Sequence, residues 1–419
     1  MSKKVLIAGL GVQGNTVAKL IDDVPTISEI IVADINQKAI DDVLATIKKG
    51  KGLILDAQDQ DSIVKAMEGV DVVVNAMPVP VMMPILYAAI EAKIDYLDFN
   101  ALYDYSAKDH IKAYGEFVEK YDKIFKDIGR TFLGGSGSSP GLTNAIARYT
   151  MRFLDTCDSI MTFINEGLRT ERFIPFWWSP EIALDAMNKT GKAVLDGKMY
   201  NTVPYSGPVY RNWPELGRET VFYEHVHPEP ATMAYHSEES YKGCKNFYFK
   251  YGGAGMDFAK PLYDLGLLST DPVEFGGGKF APYDFIESYL PLPPRFPEDI
   301  KAIIDEGIIE ENSALVVEST GTKNGKKVLV TAHVNAPGLV ESYERSGLTS
   351  EMYQTGMSGA MFTKMLLDGN MKPGFITSDM FTDEQVDTFL DYISDHGSTV
   401  DICITAPIEE ENNVIPILD

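Results

Sequence analysis

A doubly wound parallel α/β sheet, split by an inserted α+β domain, is the fold class that this sequence predicts. Three observations predict it. The first ~135 residues alternate short apolar runs with helical stretches, the pace of a βα array. A glycine turn joins the first run to the first helix. From Met161 to about Val334 the chain becomes rich in aromatics, glycines and short alternating runs, and long helical stretches return only at Ser350.

The elements follow in order. Val5-Leu6-Ile7-Ala8 is an apolar run of the kind that buries as a parallel strand. Gly9, Gly11 and Gly14 come next in G-L-G-V-Q-G spacing, with a helix from Asn15 to Ile21. Ile30 to Ala33 form a second strand ending in Asp34, and Leu53 to Asp56 a third. Asp71 to Asn75 is a fourth strand running into Ala76-Met77-Pro78, with Val81 to Ala92 helical. Ile94 to Asp98 is the fifth strand, Lys108 to Asp127 a long helix, and Thr131 to Leu133 the sixth strand. Right-handed crossovers then give the strand order 3-2-1-4-5-6. Ligands of such sheets lie beyond the carboxyl ends of the strands, which groups Gly9, Asp34, Asp56, Asn75 to Pro78, and Asp98 to Asn100 along one edge.

A second glycine stretch, Gly134 to Gly141, reads as a hinge that also approaches a ligand. Beyond it, Ile160 to Ile164, Asn246 to Lys250, Ala314 to Thr320 and Lys327 to His333 read as strands of a mainly antiparallel sheet. Asn324-Gly325 between the last two is a hairpin signal. Ser350 to Asp368 and Asp383 to Ser394 read as helices, and Val400 to Thr405 as a last strand. The expected division is residues 1–140 for the nucleotide-binding domain, 141–349 for the insertion, and 350–419 for a return to the first domain.

The glycine turn carries the chemistry. Gly9 permits the tight turn, Gly11 admits a pyrophosphate to the backbone at a helix N-terminus, and Gly14 lets helix and strand pack closely. Val12 and Gln13 lie within the same turn. Asp34 stands 20 residues beyond Gly14, where an acid accepts hydrogen bonds from the ribose hydroxyls of NAD and repels the extra phosphate of NADP. No Arg follows in Ile35-Asn36-Gln37. These features predict NAD rather than NADP, with Asp56, Asn75, Ala76, Met77 and Pro78 completing the cofactor cleft.

Composition narrows the partners. The formal net charge of -24 disfavours nucleic acid and anionic membranes, whose phosphates would be repelled. No segment approaches the ~18 uninterrupted apolar residues of a membrane span. The N-terminus enters a strand directly, so no signal peptide is expected. Cys157, Cys244 and Cys403 are far apart and show no metal-ligand spacing, and the six histidines lack HxxxH or HExxH spacing. The expectation is a cytoplasmic protein with reduced thiols and no metal.

Several separated stretches resemble the saccharopine dehydrogenase and reductase family, with lysine 6-dehydrogenase, carboxynorspermidine dehydrogenase and homospermidine synthase among its members. They are Gly9 to Gly14, Asp71 to Pro78, Tyr96-Leu97-Asp98, Ser139-Pro140-Gly141-Leu142, Trp178-Ser179-Pro180-Glu181, and Thr355-Gly356 with its small-residue helix. The resemblance spans close to the full length. It implies a Rossmann domain split by an inserted domain that binds substrate and makes a homodimer. It also implies oxidation or reduction at an amine-bearing carbon, through an imine, on a small-molecule amine or amino acid.

Such chemistry needs a base within hydrogen-bond reach of the nitrogen and charged partners for the substrate's ends. Asp98, ending a strand on the cofactor edge, is the candidate to orient the amine, with Asn100 beside it; a loop-capping role is its alternative. His227 is the candidate for proton transfer, and His225 a substrate contact on the same face of its segment. Trp178 is a candidate wall over the substrate, and Arg211 a candidate bidentate partner for a carboxylate. Two further readings remain open: a homospermidine-synthase-like transferase that keeps NAD bound, and a non-catalytic NAD(H) sensor.

Overall fold

The computed structural model describes residues 2–407 and 417–418. The chain forms two compact units. Of the described residues, the first comprises those up to Tyr149, Glu238–Ser240 and Met352–Thr399; the second comprises Thr150–Ser237, Tyr241–Glu351 and those from Val400 onward.

In the first unit, six strands alternate with five helices: β1 (Lys3–Ala8), α1 (Val12–Ile21), β2 (Ile27–Asp34), α2 (Gln37–Leu44), β3 (Gly50–Ile54), α3 (Gln60–Ala66), β4 (Val72–Asn75), α4 (Met82–Ala92), β5 (Asp95–Asp98), α5 (His110–Ile128) and β6 (Thr131–Leu133). The order is β6-β5-β4-β1-β2-β3, and a seventh strand, Gly374–Ile376, adds in parallel beyond β6. β1 pairs in parallel with both β2 and β4, Val5 lying opposite Ile30 on one side and Val72 on the other. Strands covered on both faces have no polar alternation, and Val72 to Asn75 are buried without a break.

The seventh strand is a correction to the six-strand expectation. Three residues beside the polar turn Gly369 to Lys372 carry too short an apolar run to register as a strand. Phe375 fastens it, meeting Phe132 edge-to-face at 4.7 Å between ring centroids. Helix α5 shows how local rules fix an element's ends. The Asp109 side chain accepts the Lys112 N–H at its start, and Gly129 closes it in the left-handed region at φ 69°. Helix Ser350–Leu367 packs on this unit from Met352 onward. A Cβ on Gly356 would lie 2.4 Å from the Thr16 side chain, and one on Gly359 the same distance from Phe99.

The second unit is built on one mixed sheet. Thr156–Glu166 runs antiparallel to Ala314–Lys323, which is in turn antiparallel to Lys326–Asn335. On its other side Thr156–Glu166 is parallel to Phe247–Gly253, a pairing that the expected mainly antiparallel sheet did not include. The connection between them is long enough for a crossover, which parallel neighbours require. Asn324 (φ 51°) and Gly325 (φ 74°) form the two-residue hairpin turn. Strand Thr399–Thr405 adds beside Lys326–Asn335, so the chain from Val400 groups with the second unit rather than the first.

Candidate functional site

The glycine turn of the first unit is fixed by three different demands. Gly9 sits at φ 92°, its N–H donating to the Ala33 carbonyl at 2.8 Å, and a Cβ there would lie 2.9 Å from both the Ala76 oxygen and the Met77 sulfur. At Gly14 a Cβ would fall 1.9 Å from the Gly9 carbonyl oxygen. Gly11 is the opposite case: nothing lies within 4 Å of where its Cβ would be. Gly11 is also the N-cap of α1, and no side chain caps that helix. The turn therefore offers bare backbone and an unsatisfied helix N-terminus to open space, which fits a pyrophosphate.

Asp34 ends β2 half-buried beside this turn. Its Oδ2 accepts the Leu10 N–H at 2.8 Å and its Oδ1 the Asn36 N–H at 2.9 Å. Val12 and Gln13 open α1, and the Gln13 Oε1 is buried without a hydrogen-bond donor. Ala76 donates its N–H to the Ala8 carbonyl at 2.9 Å, bringing the Ala76-Met77 segment against Gly9. Pro78 follows as the N-cap of a short 3₁₀ turn. Asp56 is exposed beyond β3, accepting the Gln58 N–H at 2.9 Å.

Asn75 and Asp98 are joined beneath that edge rather than presented on it. The Asn75 Nδ2 donates to the Tyr96 hydroxyl at 2.7 Å and to the Met82 carbonyl at 3.0 Å. The Tyr96 hydroxyl donates to Asp98 Oδ2 at 3.1 Å. Asp98 Oδ1 accepts the N–H groups of Gly135 (3.2 Å) and Asn100 (3.3 Å), and the Asp98 carbonyl accepts that of Ser136. The residue is 0% exposed. Burial pushes its carboxyl up to about 7, against the pull of those hydrogen bonds. In this geometry Asp98 fastens the second glycine stretch to the end of β5. Asn100 turns its amide toward the Met82 sulfur.

In the second unit the two tryptophans part company. Trp177 is buried in the core, its indole N–H on the Leu168 carbonyl at 3.1 Å. Trp178 is half-buried, and its indole N–H donates to Glu166 Oε1 at 3.0 Å. Glu166 ends its strand 8% exposed, and burial raises its carboxyl to about 7, while the nearby Tyr251 hydroxyl and the Trp178 indole N–H oppose the rise. Glu351 is half-buried along its stem, yet both carboxyl oxygens are covered and receive no hydrogen bond. Burial, and then the charge of Glu166, push it well above the usual carboxylate range.

His225 stacks on Tyr251 with ring centroids 4.7 Å apart. Burial, reinforced by His227, lowers it to about 3, so it is neutral at pH 7. His227 stacks on Phe249 at 4.0 Å, and its Nδ1 is held by the buried carboxylate of Glu229. A carboxylate on Nδ1 fixes the ring's orientation and leaves Nε2 as the basic nitrogen. Arg211 is 6% exposed and spends both arms of its fork on Glu318, at 2.9 and 2.7 Å. A buried bidentate pair of this kind is a structural bond across the sheet.

The structure thus gathers the glycine turn with Asp34, Ala76 and Met77, links Asn75 to Asp98, and sets Trp178 and His225 beside the same tyrosine. It engages Arg211 elsewhere. Glu166, Tyr251, Glu351 and the role of Glu229 were not found from sequence. An acid closing an apolar strand was the available signal for Glu166, the one that marked Asp34 and Asp98. Among the described residues, no group of three or more His, Cys, Asp or Glu side chains could hold a metal ion, and no helix is long and apolar enough to cross a membrane.

Comparison with known proteins places this geometry. Residues 5–133 match the saccharopine dehydrogenase NADP binding domain, and residues 137–398 the saccharopine dehydrogenase C-terminal domain. The chain is 26% identical over 389 residues to carboxyaminopropylagmatine dehydrogenase of Synechocystis sp., covering 88% of this chain and 90% of that one. It is 25% identical over 337 residues to carboxynorspermidine synthase of Vibrio alginolyticus, covering 78% and 77%. Apo saccharopine dehydrogenase (L-Glu forming) of Saccharomyces cerevisiae shares the fold, with a TM-score of 0.67 at 19% identity over 97% of this chain and 100% of that one. With both domains matched across most of its length, the chain belongs to the saccharopine dehydrogenase family and is an oxidoreductase acting on CH–NH.

Proposed function

We propose that the chain is an NAD-dependent dehydrogenase that moves a hydride between nicotinamide and the amine-bearing carbon of an amino acid, opine or polyamine derivative, by way of an imine. The observation that carries this is the uncapped glycine turn, open at Gly11 and bordered by Asp34. A carboxylated polyamine derivative is the favoured substrate class, since both similar enzymes bear names of that kind.

The turn's backbone and α1's first N–H groups would hold the pyrophosphate, and Asp34 the adenosine ribose. Bound NAD supplies the hydride acceptor. The protein's own task is proton handling: the substrate nitrogen must be neutral before the adjacent C–H bond breaks. His227, oriented by Glu229, is assigned that proton, accepted at Nε2. Asp98 is assigned a positioning role, through the turn it holds at Gly135. The test is reduction of NAD by candidate amines, followed at the absorbance of the reduced nicotinamide: NADH should appear with one of them, and no reduction by any would overturn the reading.

Cofactor choice is a separate expectation. A carboxylate facing the 2′-phosphate is repulsive, and no cation stands in residues 35–37 to relieve it. Wild type should bind NAD ~10-fold or more tighter than NADP, and Asp34→Ser should narrow that gap. Wild type binding NADP as tightly as NAD would reverse the assignment.

The second unit carries an exposed aromatic stretch. Phe275 is 76% and Tyr289 74% exposed, and rings run in contact from Phe275 through Phe280 and Phe285 to Tyr289. We assign it to a homodimer contact, since water-exposed apolar patches of this kind mark association surfaces. Sedimentation should give a dimer that Phe275→Glu weakens; a wild-type monomer at micromolar concentration would dismiss it. The same reading places the protein in the cytoplasm, with Cys157, Cys244 and Cys403 as free thiols; recovery of the native protein outside the cell would contradict that.

A further inference from the structure

We propose that Glu166, Glu351, Trp178 and Tyr251 form a recognition site for an organic cation, the alkylammonium or guanidinium end of the substrate. The inference deepens the reading above and rests on it for the word substrate; the site itself rests on the second unit alone.

Its starting point is a mismatch of acceptors and donors. Two carboxyls lie near enough for one to raise the other's proton affinity, and among the described residues neither has a Lys, Arg or His partner. Elsewhere this unit supplies its buried acids with cations: Glu224 has Lys250, and Glu318 has Arg211. Here the fold supplies only neutral donors among the described residues, the Trp178 indole N–H on Glu166 Oε1 at 3.0 Å and the Tyr251 hydroxyl beside the same carboxyl. Glu166 Oε2, both oxygens of Glu351 and the Tyr251 hydroxyl are covered and unpartnered. Tyr251 is 5% exposed, so its hydroxyl does not turn to solvent for a partner. Buried acceptors left in this state are costly unless something donates to them.

The surrounding side chains define what that donor is. An indole and a phenol stand beside the carboxyls, and the neutral imidazole of His225 backs the phenol. Aromatic faces attract a weakly hydrated organic cation, and carboxylates receive its N–H groups. A hydrated metal ion would instead need three or more hard ligands, which the described residues do not assemble. A neutral shared proton would quiet the two carboxyls but leave the remaining acceptors unfilled. A substrate anion is excluded by the sign of the site.

The experiment is calorimetric titration of the full-length protein with agmatine, putrescine and propylamine, with glutarate and magnesium chloride as controls. At least one organic cation should bind, and guanidinium and ammonium probes report which head group the site takes. Glu351→Gln and Glu166→Gln remove charge without volume, so both should fold and lower that affinity ~10-fold or more, the scale of a hydrogen bond to a charged group. Trp178→Phe should weaken it as well, and NADH affinity should stay unchanged in all three. Absence of binding by every cation at millimolar concentration overturns the site, as does equal binding by wild type and both Gln variants, or binding of glutarate in preference. Cation binding without any hydride transfer would keep this site and remove the dehydrogenase reading instead.

Discussion

Replacing Gly14 with alanine should abolish nucleotide binding and lower the melting temperature together. The new Cβ would stand 1.9 Å from the Gly9 carbonyl oxygen, a backbone atom that cannot swing aside. Helix α1 and the turn must separate, and overpacking of this kind costs about 1–3 kcal/mol or more. Gly11→Val is the matched control. Its backbone lies at φ -63°, which any residue adopts, and its Cβ would meet nothing. That variant should melt within about 1 °C of wild type, a change of a few tenths of a kcal/mol. It should nevertheless bind NADH ~100-fold more weakly, because the side chain fills the space required by the pyrophosphate. Fluorescence titration and thermal unfolding read the two effects. If Gly11→Val binds NADH normally, the turn is a packing device and holds no dinucleotide.

Truncating Asp98 has the next largest expected effect. Asp98→Ala would strip the acceptor from the Gly135 and Asn100 N–H groups and from the Tyr96 hydroxyl, all in the interior. Each orphaned group costs about 1–3 kcal/mol, so the first unit should be severely destabilised. Asp98→Asn keeps the shape and one acceptor oxygen. It should fold, hold NAD affinity within about threefold, and lower kcat ~10-fold or more through displacement of the turn at Gly135. Normal turnover by Asp98→Asn would remove any functional role.

The pH dependence separates Asp98 from His225. Its folded value of about 7 lies above the ordinary 3.8, so the native state holds a proton that the unfolded chain has lost. The corresponding stability is complete below the unfolded value and fades as pH rises through about 7. His225, lowered to about 3 from 6.5, works in the other direction, its contribution fading as pH falls below 6.5. Only the first should vanish in Asp98→Asn, whose stability should fall less than wild type between pH 5 and pH 8, about two units below and one above that value.

The first unit was readable because its signals are local. A parallel strand writes itself as Val72-Val73-Val74, and Gly9, Gly11 and Gly14 are spaced by the geometry of one turn. The seventh strand escaped because Gly374–Ile376 owes its place to Phe375 packing on Phe132 across the sheet, a contact from the far end of the chain. Burial was equally hidden. Asp98 reads as an acid at a strand end, like Asp34, yet one lies against the open turn and the other has no exposed surface. Arg211 and Trp178 diverge for the same reason. The arginine meets Glu318, 107 residues away, while the indole meets Glu166 only 12 residues back. Glu351 could not be paired with Glu166 from sequence, because nothing local joins a helix N-terminus to a strand 185 residues earlier.

The measurement that bears most directly on the central claim is NAD reduction by the purified full-length protein. Carboxylated polyamine derivatives, saccharopine and lysine would be supplied in turn, with the reduced nicotinamide followed by absorbance. Stoichiometric appearance of NADH with one of them, lost in His227→Ala and retained in Phe275→Glu, is the predicted result. NADH binding with no reduction or oxidation on any amine, amino acid or imine-forming pair would contradict it and leave a nucleotide-binding protein without this chemistry.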